Sequence, residues 1–264
     1  MKVGVSVNPR KIEKSAIDNA LRIVENAGYS TSLFTNNASI GGVDVVVALG
    51  GDGAIMRTAL TAAQKNIKVI GVNYGHLGFL AEYEKNEIAD VTELLRAVEK
   101  NECEILKRTV LELSFDDKKY YALNEVFVQR DYAFHAQLVK TEVRVNGEPM
   151  DRFSGDGVLI STPTGSTAYA LSAGGALLTP DLPALMLTPV CAFSLNARPA
   201  VFSDKDVFEM EVVGGGAILV VDGRPVSTLA LGDKAIVKRA VFTADFPMRG
   251  NLGFFKKVKT KIYK

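Results

Sequence analysis

Over the first hundred residues the apolar positions switch repeatedly between two periods. Val3, Val5 and Val7 alternate as in a strand. Ile12, Ala16, Ala20, Ile23 and Ala27 then recur at helical spacing, and Gly28 suits a C-terminal cap. Residues 45–49, VVVAL, form a continuous apolar run of the kind found in a strand buried on both faces. Ile55, Met56, Ala59, Leu60 and Ala63 mark one helical face across 54–65; Lys68 to Val72 is a short apolar strand, and Ile88 to Lys100 is again helical. Strands alternating with helices predict an α/β domain with a Rossmann-like parallel sheet over residues 1–103.

After residue 104 the period changes. Val139, Thr141, Val143 and Val145 alternate with Lys140, Glu142 and Arg144 and end in Asn146-Gly147, a strong hairpin signal. Similar runs at 120–128, 157–162, 207–213, 217–222 and 235–242 are separated by Gly-rich or Asp-Gly turns. Residues 104–264 therefore read as a mainly antiparallel β domain. One helical pattern interrupts it from about Ala168, and the last ~20 residues are expected to pack back on the first domain.

Composition narrows the function classes. Among 264 residues, 31 Lys and Arg nearly cancel 30 Asp and Glu, which argues against a nucleic-acid coat or a polybasic membrane anchor. KKVKTKIYK at the end is the only dense basic run and reads as a solvated tail on a last strand. The apolar stretch 173–193 is broken by Pro180, Asp181, Pro183 and Pro189, so no membrane span is expected. Cys103 and Cys191 suit neither a disulfide framework nor a metal knuckle, and read as buried thiols of a reducing cytoplasm.

The candidate chemistry lies in the turns. GGDG (50–53) joins a buried strand to a helix. Its glycines let a ligand approach the backbone, and the amides of the helix start attract anions. It is no Walker A loop, because no Gly-Lys pair exists in the chain, and no Rossmann fingerprint, because Met56 holds the third glycine position. A tight turn with Asp52 as a cap is an equal reading of these four residues. GVNYGHLGFL (71–80) follows the next strand, and in an open α/β sheet such loops share one crevice. There His76 reads as structural, and Phe79 as core or as a face for a purine. In YALNEVFV (121–128), Asn124 and Glu125 interrupt an apolar strand, either at the edge of a site or at a bulge. In FSGDGVLISTPTGSTAYALSAGG (153–175), Asp156 lies between glycines. Five hydroxyl residues (Ser161, Thr162, Thr164, Ser166 and Thr167) crowd a Pro-Gly turn, more than helix capping explains, which favours a polar ligand pocket. Asp222-Gly223 alone reads as an ordinary hairpin turn. Two histidines support no hydrolytic triad, and no metal-ligand spacing appears.

Taken in order, these motifs resemble the NAD kinase family: GGDG after the second strand, GHLGFL, ALNE, GDG, TPTGSTAYxLSxGG, then Asn196-Ala197-Arg198-Pro199 and VDG. The match runs from about residue 43 to 225. GGDG alone is shared with phosphofructokinases and with diacylglycerol and sphingosine kinases, which lack ALNE and TPTGSTAY. The resemblance implies an α/β domain and a β-rich NAD-binding domain with the substrate cleft between them, in a cytoplasmic homodimer or homotetramer. It implies transfer of the terminal phosphoryl of ATP, or of polyphosphate, to the adenosine ribose 2′-hydroxyl of NAD, with Mg²⁺ or another divalent cation. By motif, Asp52 matches the catalytic aspartate, with Gly51 and Gly53 beside the nucleotide and Arg57 a basic residue one turn on. Asn124 and Glu125 match ribose and diphosphate contacts. Thr164, Thr167, Ala168, Tyr169 and Ser172 match the NAD site, with Ala168 and Tyr169 close to the rings. Asp156 matches a contact to the nicotinamide end, Asp222 belongs to the VDG motif, and Arg224 directly follows it. His135 corresponds by spacing only. Ala54, Ser154, Ala176 and Arg224 depart from frequent family residues, and Ser154 and Arg224 bear on fine specificity. A lipid kinase sharing GGDG, or a non-catalytic NAD sensor, are the competing readings.

Overall fold

The computed structural model describes residues 1–75, 78–133, 137–250 and 253–263. The chain divides into two units, one of residues 1–107 and 242–264 and one of residues 108–241.

The first unit begins with β1 (Lys2–Val7), α1 (Lys14–Asn26), β2 (Ser30–Phe34), β3 (Val45–Gly50), α2 (Asp52–Ala63), β4 (Lys68–Asn73) and β5 (Tyr83–Glu84). A 3₁₀ turn over Lys85–Asp90 then leads into α3 (Val91–Glu99). All pairings are parallel, in the order β2-β1-β3-β4-β5, with Val5 opposite Val47 and Val47 opposite Ile70. Val3, Val5, Val45, Val47, Leu49, Ile70 and Val72 face one way, into a core with Ile17, Ala20 and Val24 of α1 and Leu94, Leu95 and Val98 of α3. Side chains alternate across a strand, so Val46, Ala48 and Val69 face the other layer, where Ile55, Ala59 and Ala62 of α2 are buried. Burial on both faces explains the unbroken VVVAL run. Strand β2 is missing from the sequence pattern because it is a polar edge strand. GGDG therefore follows the third strand, not the second.

The second unit is built on β6 (Ile105–Phe115), β7 (Lys118–Ala122), β8 (Glu125–Arg130), β9 (Val139–Val145), β10 (Glu148–Gly155) and β11 (Gly157–Ser161). A 3₁₀ turn over Gly165–Thr167 and the single turn α4 (Tyr169–Ser172) follow. Next come β12 (Ala184–Val190), β13 (Ala200–Ser203), β14 (Phe208–Gly214), β15 (Ala217–Val221), β16 (Arg224–Leu229) and β17 (Lys234–Pro247). Two six-stranded sheets result, β10-β9-β14-β17-β6-β7 and β13-β12-β11-β8-β15-β16. Leu111, Leu113, Val143, Phe208 and Met210 of the first pack against Val126, Val128, Val158, Ile160 and Leu219 of the second. On the outer face of the second sheet, Phe127, Leu159, Met186 and Val220 form a smaller core under Ala170 of α4. The α/β plus antiparallel β architecture is thus as expected.

Local departures have local causes. Asn146-Gly147 turns as predicted, with both φ values positive (52° and 84°). The run at 120–128 is two strands, broken at Leu123-Asn124. The helical pattern from Ala168 yields one turn only, because Gly174 (φ 88°) reverses the chain and Pro180 and Pro183 follow. The basic C-terminal run is not a strand tail but helix α5 (Phe254–Lys261). Neither cysteine is fully buried: Cys103 is half-buried and Cys191 is exposed with φ +47°.

Candidate active site

In the α/β unit, fully buried β3 delivers the chain to Gly51, and α2 starts at Asp52. Asp52 does not cap its helix, since Gly51 is the N-cap residue. Its carboxylate instead spans to the loop after β4: the Phe79 N–H donates to Oδ2 at 2.7 Å and the Leu80 N–H donates to Oδ1 at 3.1 Å. Only glycine allows this approach at position 78, where a Cβ would lie 2.2 Å from Asp52 Oδ1. The same loop is tied to its strand by buried Asn73. Its Nδ2 donates to Glu84 Oε2 at 2.9 Å, and its Oδ1 accepts the Gly75 N–H at 3.0 Å. Arg57, one turn into α2, runs back along the helix toward Gly53, where a Cβ would sit 3.5 Å from Nη1. The result is an anion held at a positive helix end by oriented amides.

In the β unit, Asp222 occupies a two-residue hairpin turn with φ 46°, followed by Gly223 at φ 73°. Its carboxylate accepts three backbone N–H bonds, from Leu123 (2.8 Å), Asn124 (2.8 Å) and Glu125 (3.0 Å). The strand break at Asn124 is thereby satisfied without a ladder partner. Glu125 is 7% exposed, and its Oε2 has no hydrogen-bond partner among the described residues. Burial first, and the charge of Asp222 second, push the Glu125 carboxyl up to about 8. Burial also pushes Asp222 up, opposed by the three amides and by Arg224. Of the two, Asp222 is the better-stabilised anion and Glu125 holds the proton at neutral pH.

The hydroxyl-rich turn packs beside them. Thr162 Oγ1 donates to Leu123 O at 2.5 Å and accepts the Gly165 N–H at 3.0 Å. Ser166 Oγ donates to Pro163 O at 2.7 Å and accepts the Leu178 N–H at 3.0 Å. Thr164 Oγ1 accepts from buried Arg108 at 3.0 Å, and Thr167 Oγ1 donates to Thr164 O at 3.1 Å. A Cβ at Gly165 would sit 2.2 Å from Asn124 O, so this turn and the ALNE segment touch through backbone. Half-exposed Tyr169 stacks edge-on against Phe127, centroids 5.5 Å apart. Asp156 pairs with Arg130 Nε at 3.0 Å, and the same guanidinium lies 4.4 Å from the Tyr132 ring.

Comparison with known proteins matches both units. The ATP-NAD kinase N-terminal domain family matches residues 3–103, and the ATP-NAD kinase C-terminal domain family matches 123–247. The chain belongs to the NAD kinase family. It is accordingly an enzyme, a kinase that transfers a phosphoryl group to NAD. An NAD kinase from Heliobacterium modesticaldum is 36% identical over 83% of this chain and 78% of its own length. One from Sulfurimonas denitrificans is 32% identical over 95% and 86%. Among solved structures, an Archaeoglobus fulgidus NAD kinase in complex with ATP covers 98% of this chain and 99% of its own, at TM-score 0.84 and 26% identity. Yeast NADH kinase complexed with NADH shares the fold, at TM-score 0.84 and 23% identity, covering 100% of this chain and 87% of its own.

Within this NAD kinase, the structure gathers Gly51, Asp52, Gly53, Arg57 and Phe79 at the head of α2 and the loop that meets it. Asn124, Glu125, Thr164 and Asp222 form one hydrogen-bonded neighbourhood with Arg108, and Arg224 directly follows the Asp222 turn. Thr167, Ala168, Tyr169 and Ser172 lie on the short helical turn after it. Asp156 is a member of an ion pair, and His135, like His76, lies outside the described residues. Each of the five hydroxyls makes a bond within the protein, Ser161 Oγ reaching Met186 O at 3.5 Å. Phe79 turns its ring toward Phe254, 6.3 Å away. Sequence reasoning passed over Asn73, whose partner Glu84 lies 11 positions on, and Arg108 and Lys257, whose partners lie 56 and 176 positions away.

Proposed function

We propose that the chain makes NADP by phosphorylating the adenosine ribose 2′-hydroxyl of NAD, with Asp52 as the residue that orients that hydroxyl and accepts its proton. The observation that carries this reading is the Asp52 carboxylate fixed between two loop amides at the start of α2. A ribose hydroxyl is a poor nucleophile at neutral pH, and phosphoryl transfer depends chiefly on alignment and charge neutralisation. A carboxylate oxygen has more than one lone pair, so amide bonds can hold a carboxylate in place without removing its capacity to accept a proton.

ATP, or polyphosphate, is the donor in this reading; the ATP bound to the Archaeoglobus relative supports ATP. The amides at the head of α2 and the Arg57 guanidinium meet the negative phosphates. Among the described residues no three His, Cys, Asp or Glu side chains gather into a metal set. A divalent cation carried in on the donor phosphates would, when bound, neutralise their charge. Asn124 and Glu125 hold ribose and diphosphate, Tyr169 and its neighbours from Thr167 to Ser172 take the rings, and Asp156 meets the nicotinamide end. Phe193 and Leu195, 82% and 86% exposed, support a homo-oligomer, dimer or tetramer, that sedimentation would reveal. No helix of the described residues is long and apolar enough to cross a membrane, and the nucleotide substrates suit a cytoplasmic enzyme.

The test is NADP formation from NAD, ATP and Mg²⁺. Asp52→Asn should lower turnover by about a hundred- to ten-thousandfold while NAD still binds. Near-wild-type turnover in that variant would remove Asp52 from the chemistry. Product from diacylglycerol but none from NAD would overturn the substrate.

A further inference from the structure

The loop that holds Asp52 is itself held from outside. Helix α5, at the end of the chain, presents half-buried Lys257 to it. The Lys257 ammonium donates to Ala81 O at 2.6 Å and to Phe79 O at 3.4 Å. Phe79 O belongs to the same peptide group as the Leu80 N–H that donates to Asp52 Oδ1 at 3.1 Å. An ammonium therefore sits at the carbonyl end of a peptide dipole, and the carboxylate of Asp52 at its amide end. Each charge polarises the group in the sense that strengthens the other's hydrogen bond. The shorter bond to Ala81 O fixes the next carbonyl but one, so three consecutive residues, Phe79 to Ala81, are pinned between a cation and an anion.

The surrounding contacts support the same function. The Phe254 ring faces that of Phe79, and Val258, the neighbour of Lys257, is buried. Ahead of α5, the Arg249 N–H donates to Glu82 Oε1 at 3.0 Å, and the Arg249 guanidinium bonds Glu87 Oε1 at 2.9 Å and Asp90 Oδ2 at 3.2 Å. Arg249 lies largely at the surface, where such pairs contribute little. Lys257 is the cation that reaches the loop backbone next to Asp52.

We propose that Lys257 is a positioning residue for phosphoryl transfer: acting through the Phe79–Ala81 backbone, it sets the orientation of the Asp52 carboxylate. This rests on the reading of Asp52 as the proton acceptor. The experiment is a double-mutant cycle on the full chain, with NADP formation, NAD binding and thermal unfolding measured for each variant. Lys257→Met keeps the length and packing of the side chain and removes the charge. It should lower kcat about tenfold, the scale of a small misplacement of a reacting group, with KM for NAD changed by less than about twofold. Lys257→Arg, which retains a donor cation, should recover most of kcat. In an Asp52→Asn background, Lys257→Met should cause no further loss, since its target is gone. An equal fold loss in both backgrounds, or a fall in kcat that tracks the loss of folded protein, would overturn the inference. Undiminished turnover of Lys257→Met beside an inactive Asp52→Asn overturns this inference alone. Undiminished turnover of Asp52→Asn overturns the Asp52 assignment, and this inference with it.

Discussion

Glu125 is the residue whose environment conflicts most with its chemistry. It is a carboxyl whose buried Oε2 has no partner among the described residues, at the start of a strand that the Asp222 anion braces. The charged or titratable groups that bear on it are Asp222 on the β15–β16 turn, the Tyr169 phenol on α4, and Arg224 acting through Asp222. Burial raises its folded-state value from 4.5 to about 8. The protonated form therefore stabilises the fold fully below about 4.5, and that contribution is lost as pH rises through about 8. Glu125→Gln, neutral at every pH, should unfold at a higher temperature than wild type at about pH 9, with the gap closing toward about pH 5. A gap that is constant with pH would show Glu125 to be ionised throughout. At this scale the sequence was informative about residue type but not state. Asn124-Glu125 in an apolar strand was legible as an anomaly. That Asp222, almost a hundred positions away, supplies the reason for the break was not.

Among the elements, the turns carry the function and the regular structure positions them. The β3–α2 and β4 loops meet because Gly78 has no side chain. Gly78→Ala should force Asp52 aside and lower kcat by about a hundredfold, while the fold survives. Unchanged kcat with a cooperative unfolding transition would show that the loop can give way without cost. Periodicity found β1, β3, β4 and helices α1 to α3, because burial on a parallel sheet leaves a clear apolar signature. It missed β2, a polar edge strand, and placed the start of α4 without its length, where tertiary packing of Ala170 supports one turn and the glycines and prolines stop the next. The Asn146-Gly147 and Asp222-Gly223 hairpins were readable because φ > 0 at both turn positions selects those residue types locally.

At the level of the whole molecule, the chain leaves its first unit at residue 107 and returns to it at 242. The returning segment adds bonds to a loop of the first hundred residues, from Arg249 to Glu82 and from Lys257 to Phe79 and Ala81. A chain ended at Met248 should lose the Arg249 and Lys257 bonds together. It should show kcat reduced at least as far as in Lys257→Met, with faster amide exchange at Phe79 to Ala81. Wild-type exchange there would mean that the loop needs no such support. What the sequence determined by itself was what local chemistry controls: strand and helix periods, hairpin turns, and motif blocks specific enough to carry the family resemblance. Tertiary structure alone decided that Asp52 is held by loop amides, that Asp222 braces Asn124 and Glu125, and that Lys257 of the basic run lies on a helix and bonds Phe79 and Ala81. The reason is physical. Hydrogen bonds to backbone amides and carbonyls place almost no demand on the identity of the residue that supplies them, so long-range partners of this kind leave no pattern along the chain.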